Sequence, residues 1–227
     1  MNRPYICAAL IASACTIGSS KLTLSVGSEP LVADGTTPRS ITVCNESTDP
    51  ASSVTATLHA TSGTWLAAKS TDPTSADLTL SSAAPCASGS WIPPTRKGPV
   101  DFWVEVGGTI IARQEASTVA ATIKQLELGA GLLSATDVSS VPLMVDFATD
   151  TGGQATEGTQ VTLKVLSSDP AGQGYLSSGS LIVGKRDSVT LSTSAGTKSV
   201  RVQARLTTDS SVLDCKEISQ TNVVACK

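Results

Sequence analysis

Val54-Thr-Ala-Thr-Leu-His-Ala-Thr61 decides the fold class. Val54, Ala56, Leu58 and Ala60 fall on one side of an extended chain, and Thr55, Thr57, His59 and Thr61 on the other. Side chains of a β-strand point alternately to opposite faces, so a period of two marks a strand with one buried face. The same alternation recurs downstream. Phe102, Val104 and Val106 alternate with Asp101, Trp103 and Glu105. Val161, Leu163 and Val165 alternate with Thr162 and Lys164, and Val200, Val202, Ala204 and Leu206 with Arg201, Gln203 and Arg205. Gly107-Gly108, between Val106 and Thr109-Ile-Ile-Ala-Arg113, predicts a hairpin with a two-residue turn. No segment holds a 3.6-residue apolar period over three turns. The sequence predicts an all-β protein.

The strands also repeat in order. Leu22-Thr-Leu24 is answered by Leu126-Glu-Leu128, Leu31-Val-Ala-Asp34 by Leu133-Ser-Ala-Thr-Asp137, and Ile41-Thr-Val43 by Leu143-Met-Val145. Val54-Thr-Ala56 is answered by Val161-Thr-Leu163, and Leu78-Thr-Leu80 by Val189-Thr-Leu191. The displacement stays near ~100 residues, the length of one β-sandwich unit. A stretch of small residues from Ser117 to Thr122 marks the boundary, giving domains at 21–117 and 118–227. The 227 residues are 40% hydrophobic, 3% aromatic and 15% charged, with a net charge of −3. That composition folds rather than staying disordered. The absence of a basic run argues against a nucleic-acid surface.

The first half resembles the bacterial immunoglobulin-like domains of the invasin and intimin adhesins. The residues that carry the resemblance are Leu31-Val-Ala-Asp-Gly-Thr-Thr-Pro-Arg-Ser-Ile-Thr-Val43 and Val54-Thr-Ala-Thr-Leu-His-Ala-Thr-Ser-Gly-Thr64. An Ala-Asp-Gly turn leads into an Ile-Thr-Val strand, and a later strand runs into a Gly-Thr corner. The second half carries a fainter version in Gln160 to Ser168 and Gly174-Tyr175-Leu176. Cys44 to Ser53 replaces the turn usual in that family. The resemblance implies two tandem immunoglobulin-like β-sandwich domains and an extracytoplasmic location. It does not imply adhesion, because such modules also serve as spacers.

The head of the chain reads as a targeting segment. Arg3 precedes an apolar run from Pro4 to Ala14 that is too short for a membrane-spanning helix, which needs ~20 residues. Ala12-Ser13-Ala14 has the small-x-small pattern of a cleavage site, so residues 1–14 are expected to be a signal peptide and 15–20 a tether. Small residues before Cys15 resemble the lipobox of bacterial lipoproteins, with Ala12 where Leu is usual. Cys15 is then the expected lipid attachment site, and a lipid there the only membrane contact. An ordinary secretory signal with a stray Cys15 thiol is the competing reading.

Cysteine parity favours the lipid. Cleavage before Cys15 removes Cys7, and acylation of Cys15 leaves Cys44, Cys86, Cys215 and Cys226. Only pairing within each domain lets the domains fold independently, as Cys44 with Cys86 and Cys215 with Cys226. A metal site would need closely spaced soft ligands, yet no C-x-x-C occurs and His59 is the sole histidine. No metal or other cofactor is expected.

Catalytic signatures are sparse. His59 sits among threonines on a polar strand face, and no G-x-S-x-G elbow accompanies it. Asp34, Asp137, Asp146, Asp150 and Asp169 lie near turns without a D-x-[DN]-x-[DN]-G run, so they read as turn formers. Asn45-Glu-Ser47 fits a glycosylation sequon, which is irrelevant in most bacteria. The three tryptophans, Trp65, Trp91 and Trp103, are the candidate contact residues. The expectation is a non-enzymatic, lipid-held module of a bacterial outer membrane or periplasm. It would bind or space protein or other cell-surface components. A secreted, unlipidated adhesin-like or accessory module is the alternative.

Overall fold

In the computed structural model the described residues are 21–46, 53–69, 71–81, 83–183 and 188–226. The expected signal peptide, the tether, Cys7 and Cys15 lie outside them, as does Ser47 of the sequon. The described residues form strands, turns and bends, with no helix among them. The fold is all-β and immunoglobulin-like. The chain divides into two compact units between Val119 and Ala120.

Unit 1 contains β1 (Leu22–Ser25), β2 (Leu31–Ala33), β3 (Arg39–Asn45), β4 (Val54–Ala60), β5 (Thr64–Trp65), β6 (Ser75–Leu80), β7 (Cys86–Ile92), β8 (Gly98–Val106) and β9 (Thr109–Ala120). They form a four-stranded sheet, β1-β3-β7-β5, and a five-stranded sheet, β2-β9-β8-β4-β6. The alternation of Val54 to Ala60 sends Ala56, Leu58 and Ala60 inward, where all three are buried. Gly107 and Gly108 take positive φ in the turn between β8 and β9, as the hairpin reading required. Asp34 is buried in the turn after β2 and accepts hydrogen bonds from the Thr36 amide at 3.0 Å and the Thr37 amide at 2.9 Å.

The centre of unit 1 is aromatic. Trp91 of β7 meets Phe102 of β8 edge-to-face, with ring centroids 4.9 Å apart, and Trp65 of β5 meets the same ring at 6.3 Å. Both indoles keep a partner for their N–H: Trp91 Nε1 donates to the Ser62 carbonyl and Trp65 Nε1 to the Thr74 carbonyl, each at 2.9 Å. Trp65 and Trp91 are 3% and 0% exposed, so both belong to the core rather than to an outer face; the sandwich needs their bulk to fill the space between its sheets. Gly63, at φ +79°, turns the chain beneath Trp91, where a Cβ would stand 2.5 Å from Trp91 Nε1.

Unit 2 contains β10 (Ile123–Ala130), β11 (Ser139–Thr149), β12 (Gln160–Asp169), β13 (Gly174–Leu176), β14 (Ser180–Ile182), β15 (Val189–Thr193), β16 (Ser199–Leu206), β17 (Leu213–Ser219) and β18 (Val223–Ala225). Its sheets run β10-β11-β15-β13 and β14-β12-β16-β17-β18. The core is aliphatic, built around Leu128, Leu143, Leu191, Val200, Val202 and Ile218. At one margin a polar bridge joins the sheets. Asp214 of β17 accepts the Leu128 amide of β10 at 2.7 Å, and Lys216 Nζ lies 3.5 Å from the same carboxylate.

The disulfides are Cys44–Cys86 and Cys215–Cys226. Each joins neighbouring strands of one sheet rather than crossing between sheets. Cys44 faces Cys86 across β3 and β7 with Cα atoms 4.0 Å apart. The adjacent Asn45 amide bonds the Pro85 carbonyl, so Cys44 and Cys86 occupy a non-hydrogen-bonded position, where opposed residues approach closely. Cys226 donates its amide to the Cys215 carbonyl, the hydrogen-bonded arrangement, and the Cα atoms there are 5.4 Å apart.

All three tryptophans belong to unit 1, so tryptophan fluorescence follows that unit alone. Phe102→Ala is expected to lower the stability read by fluorescence in urea by about 3–5 kcal/mol. Leu191→Ala in unit 2 should leave that transition in place while destabilising the transition seen by circular dichroism.

Candidate functional site

The polar side of the opening strand becomes the outer face of the five-stranded sheet. β4 pairs antiparallel with β8 so that Thr57 faces Glu105 and His59 faces Trp103. Residues that alternate with the core on both strands therefore gather on one surface. β6 adds Asp77 opposite Thr57, and β9 adds Arg113 opposite Trp103.

Trp103 is held rigidly there. Its ring stacks on His59 with centroids 5.0 Å apart and planes 4° from parallel. Its Nε1 donates to Glu105 Oε1 at 2.9 Å, which sets the ring's rotation. The other oxygen of Glu105 lies 3.5 Å from His59 Nε2, an ion-pair distance that gives no hydrogen bond. The His59 side chain is only 18% exposed because Trp103 covers one side of it. Ion pairs border the stack: Arg113 with Asp101 at 2.6 Å, and Lys69 with Asp77 at 2.9 Å. This is a flat, pre-organised aromatic plane in a mixed-charge frame, suited to contact without costly side-chain ordering.

Two carboxyls around the stack are held below the usual carboxylate range. Asp72 owes this to the Thr74 hydroxyl first and the Thr74 amide second, with Ser75 and His59 adding to it. Those two bonds measure 2.6 and 2.9 Å, and they shape the turn that leads into β6. Asp77 owes it first to Lys69 and then to Thr57, with His59 contributing weakly.

Of the three tryptophans, the structure leaves Trp103 alone on an outer face. It unites Trp103 with His59, which the sequence placed on the polar side of β4, and with Glu105, Asp77 and Lys69, which sequence reasoning did not single out. The missing signal was strand register: His59 and Trp103 lie far apart in the chain, and only the β4–β8 pairing makes them neighbours. The turn aspartates stay dispersed. Asp150 accepts the Thr122 amide at 3.2 Å, Asp169 lies 3.9 Å from Lys198, and Asp146 stands opposite Glu127. Among the described residues no three His, Cys, Asp or Glu side chains are grouped to hold a metal. No helix there is long and apolar enough to cross a membrane.

No protein-family model matches the sequence, and no curated protein matches it. Solved structures do. Invasin, a bacterial integrin-binding protein, aligns with a TM-score of 0.61 at 14% identity, over 87% of this chain and 38% of invasin. The Yersinia pseudotuberculosis adhesin InvE aligns at 0.48 and 12% identity, over 87% of this chain and 58% of that one. A glycosyl hydrolase family 2 member from Bacteroides cellulosilyticus aligns at 0.31 and 11% identity, over 82% and 25%. The invasin likeness identifies the fold as the invasin type of immunoglobulin-like sandwich; the two lower scores carry no argument. The chain spans well under half of invasin's length.

Two outcomes test this face. In a double-mutant cycle, His59→Ala and Trp103→Ala should couple by about 0.5–1.5 kcal/mol, the double variant losing less than the sum of the singles. Because the Asp72 and Asp77 carboxyls titrate low in the folded state, the stability they add is present above pH ~4 and lost as pH falls below it. The variant carrying Asp72→Asn and Asp77→Asn should therefore show a shallower fall in urea midpoint over that acid range than the parent.

Proposed function

We propose that this chain is a non-catalytic module of the bacterial envelope, exported and held by a lipid on Cys15. Its immunoglobulin-like units bind or space protein or other cell-surface and periplasmic components. The observation that carries this reading is the fate of the cysteines. Cys44, Cys86, Cys215 and Cys226 are consumed by two disulfides, one inside each unit. Such bonds persist in an oxidising compartment outside the cytoplasm. Removal of residues 1–14 would then leave Cys15 as the one unpaired cysteine, preceded in the sequence by small residues that resemble a lipobox, with Ala12 where Leu is usual. Each buried CH₂ of an acyl chain would add ~0.8 kcal/mol to membrane binding.

The invasin-type fold supports a role in extracytoplasmic contact without identifying what is contacted. Trp103, stacked on His59 and framed by ion pairs, is the residue of this proposal that would meet a partner.

Intact mass of the mature protein from a bacterial membrane fraction, with and without reductant, tests the proposal. A mass that begins at Cys15, includes acyl chains and rises by four hydrogens on reduction is expected. An unlipidated mass would remove the anchor and leave a secreted module. A chain that retains Met1 and free thiols would refute export altogether.

A further inference from the structure

One edge of unit 1 is left open. β3 pairs with β7 along its length, from Arg39 opposite Trp91 to Cys44 opposite Cys86. On its other side β7 has only β5, which pairs with it at Trp91 and Ile92. The Leu66 amide adds one more bond, to the Ser90 carbonyl at 2.9 Å. Strand geometry decides which backbone groups remain. The Asn45 amide donates to the Pro85 carbonyl at 2.7 Å, so odd-numbered residues here turn their N–H and C=O toward β3. Even-numbered residues turn theirs the other way, as the Leu66–Ser90 bond shows. Cys86 and Ser88 therefore present backbone donors and acceptors along an edge that, among the described residues, has no strand beside it.

Open edges are ordinarily guarded by charge, proline, a bulge or a covering loop. The nearby edge of β6 is guarded. Asp77 holds Lys69 there, and the Lys69 amide caps the Ser75 carbonyl at 3.0 Å. The β7 edge, Cys86-Ala-Ser-Gly-Ser90, has no charge and no proline, and its pairing with β3 runs without a register shift. Beside it, between β6 and β7, lies a cleft of about 300 Å³ walled by Trp65, Leu66, Leu78 and Gly89. Leu66 is 61% exposed at its rim. Gly89 lets the Trp65 ring pack directly against β7 in that wall, because a Cβ there would stand 2.9 Å from the ring.

We propose that the β7 edge accepts an extended segment of a partner protein. The segment pairs with Ser88 and Cys86 in the space a longer β5 would fill, and it seats one small apolar side chain in the cleft. Alternating backbone donors and acceptors beside an apolar slot match a polypeptide strand. A second copy of this chain fits less well. Its own β7 edge is flanked by its own β5 at one end and by the Ser81–Ala84 turn at the other, and a second copy would have to bring both alongside. A loop or chain terminus carries no such flanks. The edge is present whether or not Cys15 is acylated, so this proposal and the anchoring proposal fail separately.

The test uses the oxidised, ¹⁵N-labelled mature protein and the synthetic peptide Lys-Thr-Val-Thr-Val-Thr-Lys. In the free protein the Ser88 amide should exchange with solvent faster than those of Ala87 and Gly89, which bond to β3. Millimolar peptide should slow it by about tenfold or more. Ser88→Pro removes the edge-facing N–H together with the Ser88 hydroxyl, which bonds Thr42 Oγ1 at 2.8 Å, so Ser88→Ala, which removes the hydroxyl alone, is its reference. Relative to Ser88→Ala, it should weaken peptide binding by about tenfold with unchanged tryptophan fluorescence. The same peptide N-methylated at alternate residues should lose binding to the unaltered protein by the same margin, which separates edge pairing from any damage done by proline. A Ser88 amide indifferent to millimolar peptide, or full binding by the proline variant, overturns the proposal. Slowing that grows with protein concentration and needs no peptide assigns the edge to a second copy and overturns the chosen occupant.

Discussion

The edge-to-face contact of Trp91 with Phe102 is the constraint on which unit 1 depends. It is the point where the four-stranded and five-stranded sheets meet through their largest fully buried side chains. With aromatics at 3% of the chain, unit 1 concentrates three of them in one cluster and closes the rest of the gap with Leu, Ile, Val and Ala. The corner at Gly63 follows from that cluster, because the indole of Trp91 occupies the space a side chain would need. Gly89 follows likewise from Trp65.

Unit 2 solves the same problem without a fully buried aromatic, Phe147 packing half-buried against its core. Its largest buried side chains are leucines and an isoleucine, and the bridge from Asp214 to the β10 backbone gives directional linkage at one margin. Neither disulfide crosses from sheet to sheet. In the chain-entropy account, the Cys44–Cys86 bond, closing a separation of 42 residues, adds ~4 kcal/mol, and the Cys215–Cys226 bond, closing 11, adds ~3. Both act by restricting the unfolded chain, while the contact between sheets is left to packing. Loss of either bond is thus a different injury from loss of Phe102.

Alternation made the strands legible, because period two is a property of single segments such as Val54 to Ala60. The hairpin at Gly107-Gly108 was legible for a similar reason: the demand for positive φ is local. The roles of the tryptophans were not. Trp65 and Trp91 sit beside corners and prolines, where local pattern does not separate a core residue from an exposed one. Their burial is decided by Phe102, which comes from the opposite sheet. The stack of His59 on Trp103 was hidden too, since one residue of register would have put His59 against a different neighbour. The open edge of β7 was equally invisible, for it depends on β5 ending at Trp65 while β7 continues to Cys86.

The bridge from Asp214 to the Leu128 amide also bears on what the margin of unit 2 offers to other chains. β10 ends its sheet, and a sheet edge with free amides is a template for a foreign strand. Asp214, with Lys216 beside the same carboxylate, occupies one of those amides from within the unit, so a single side chain withdraws part of that margin from intermolecular pairing.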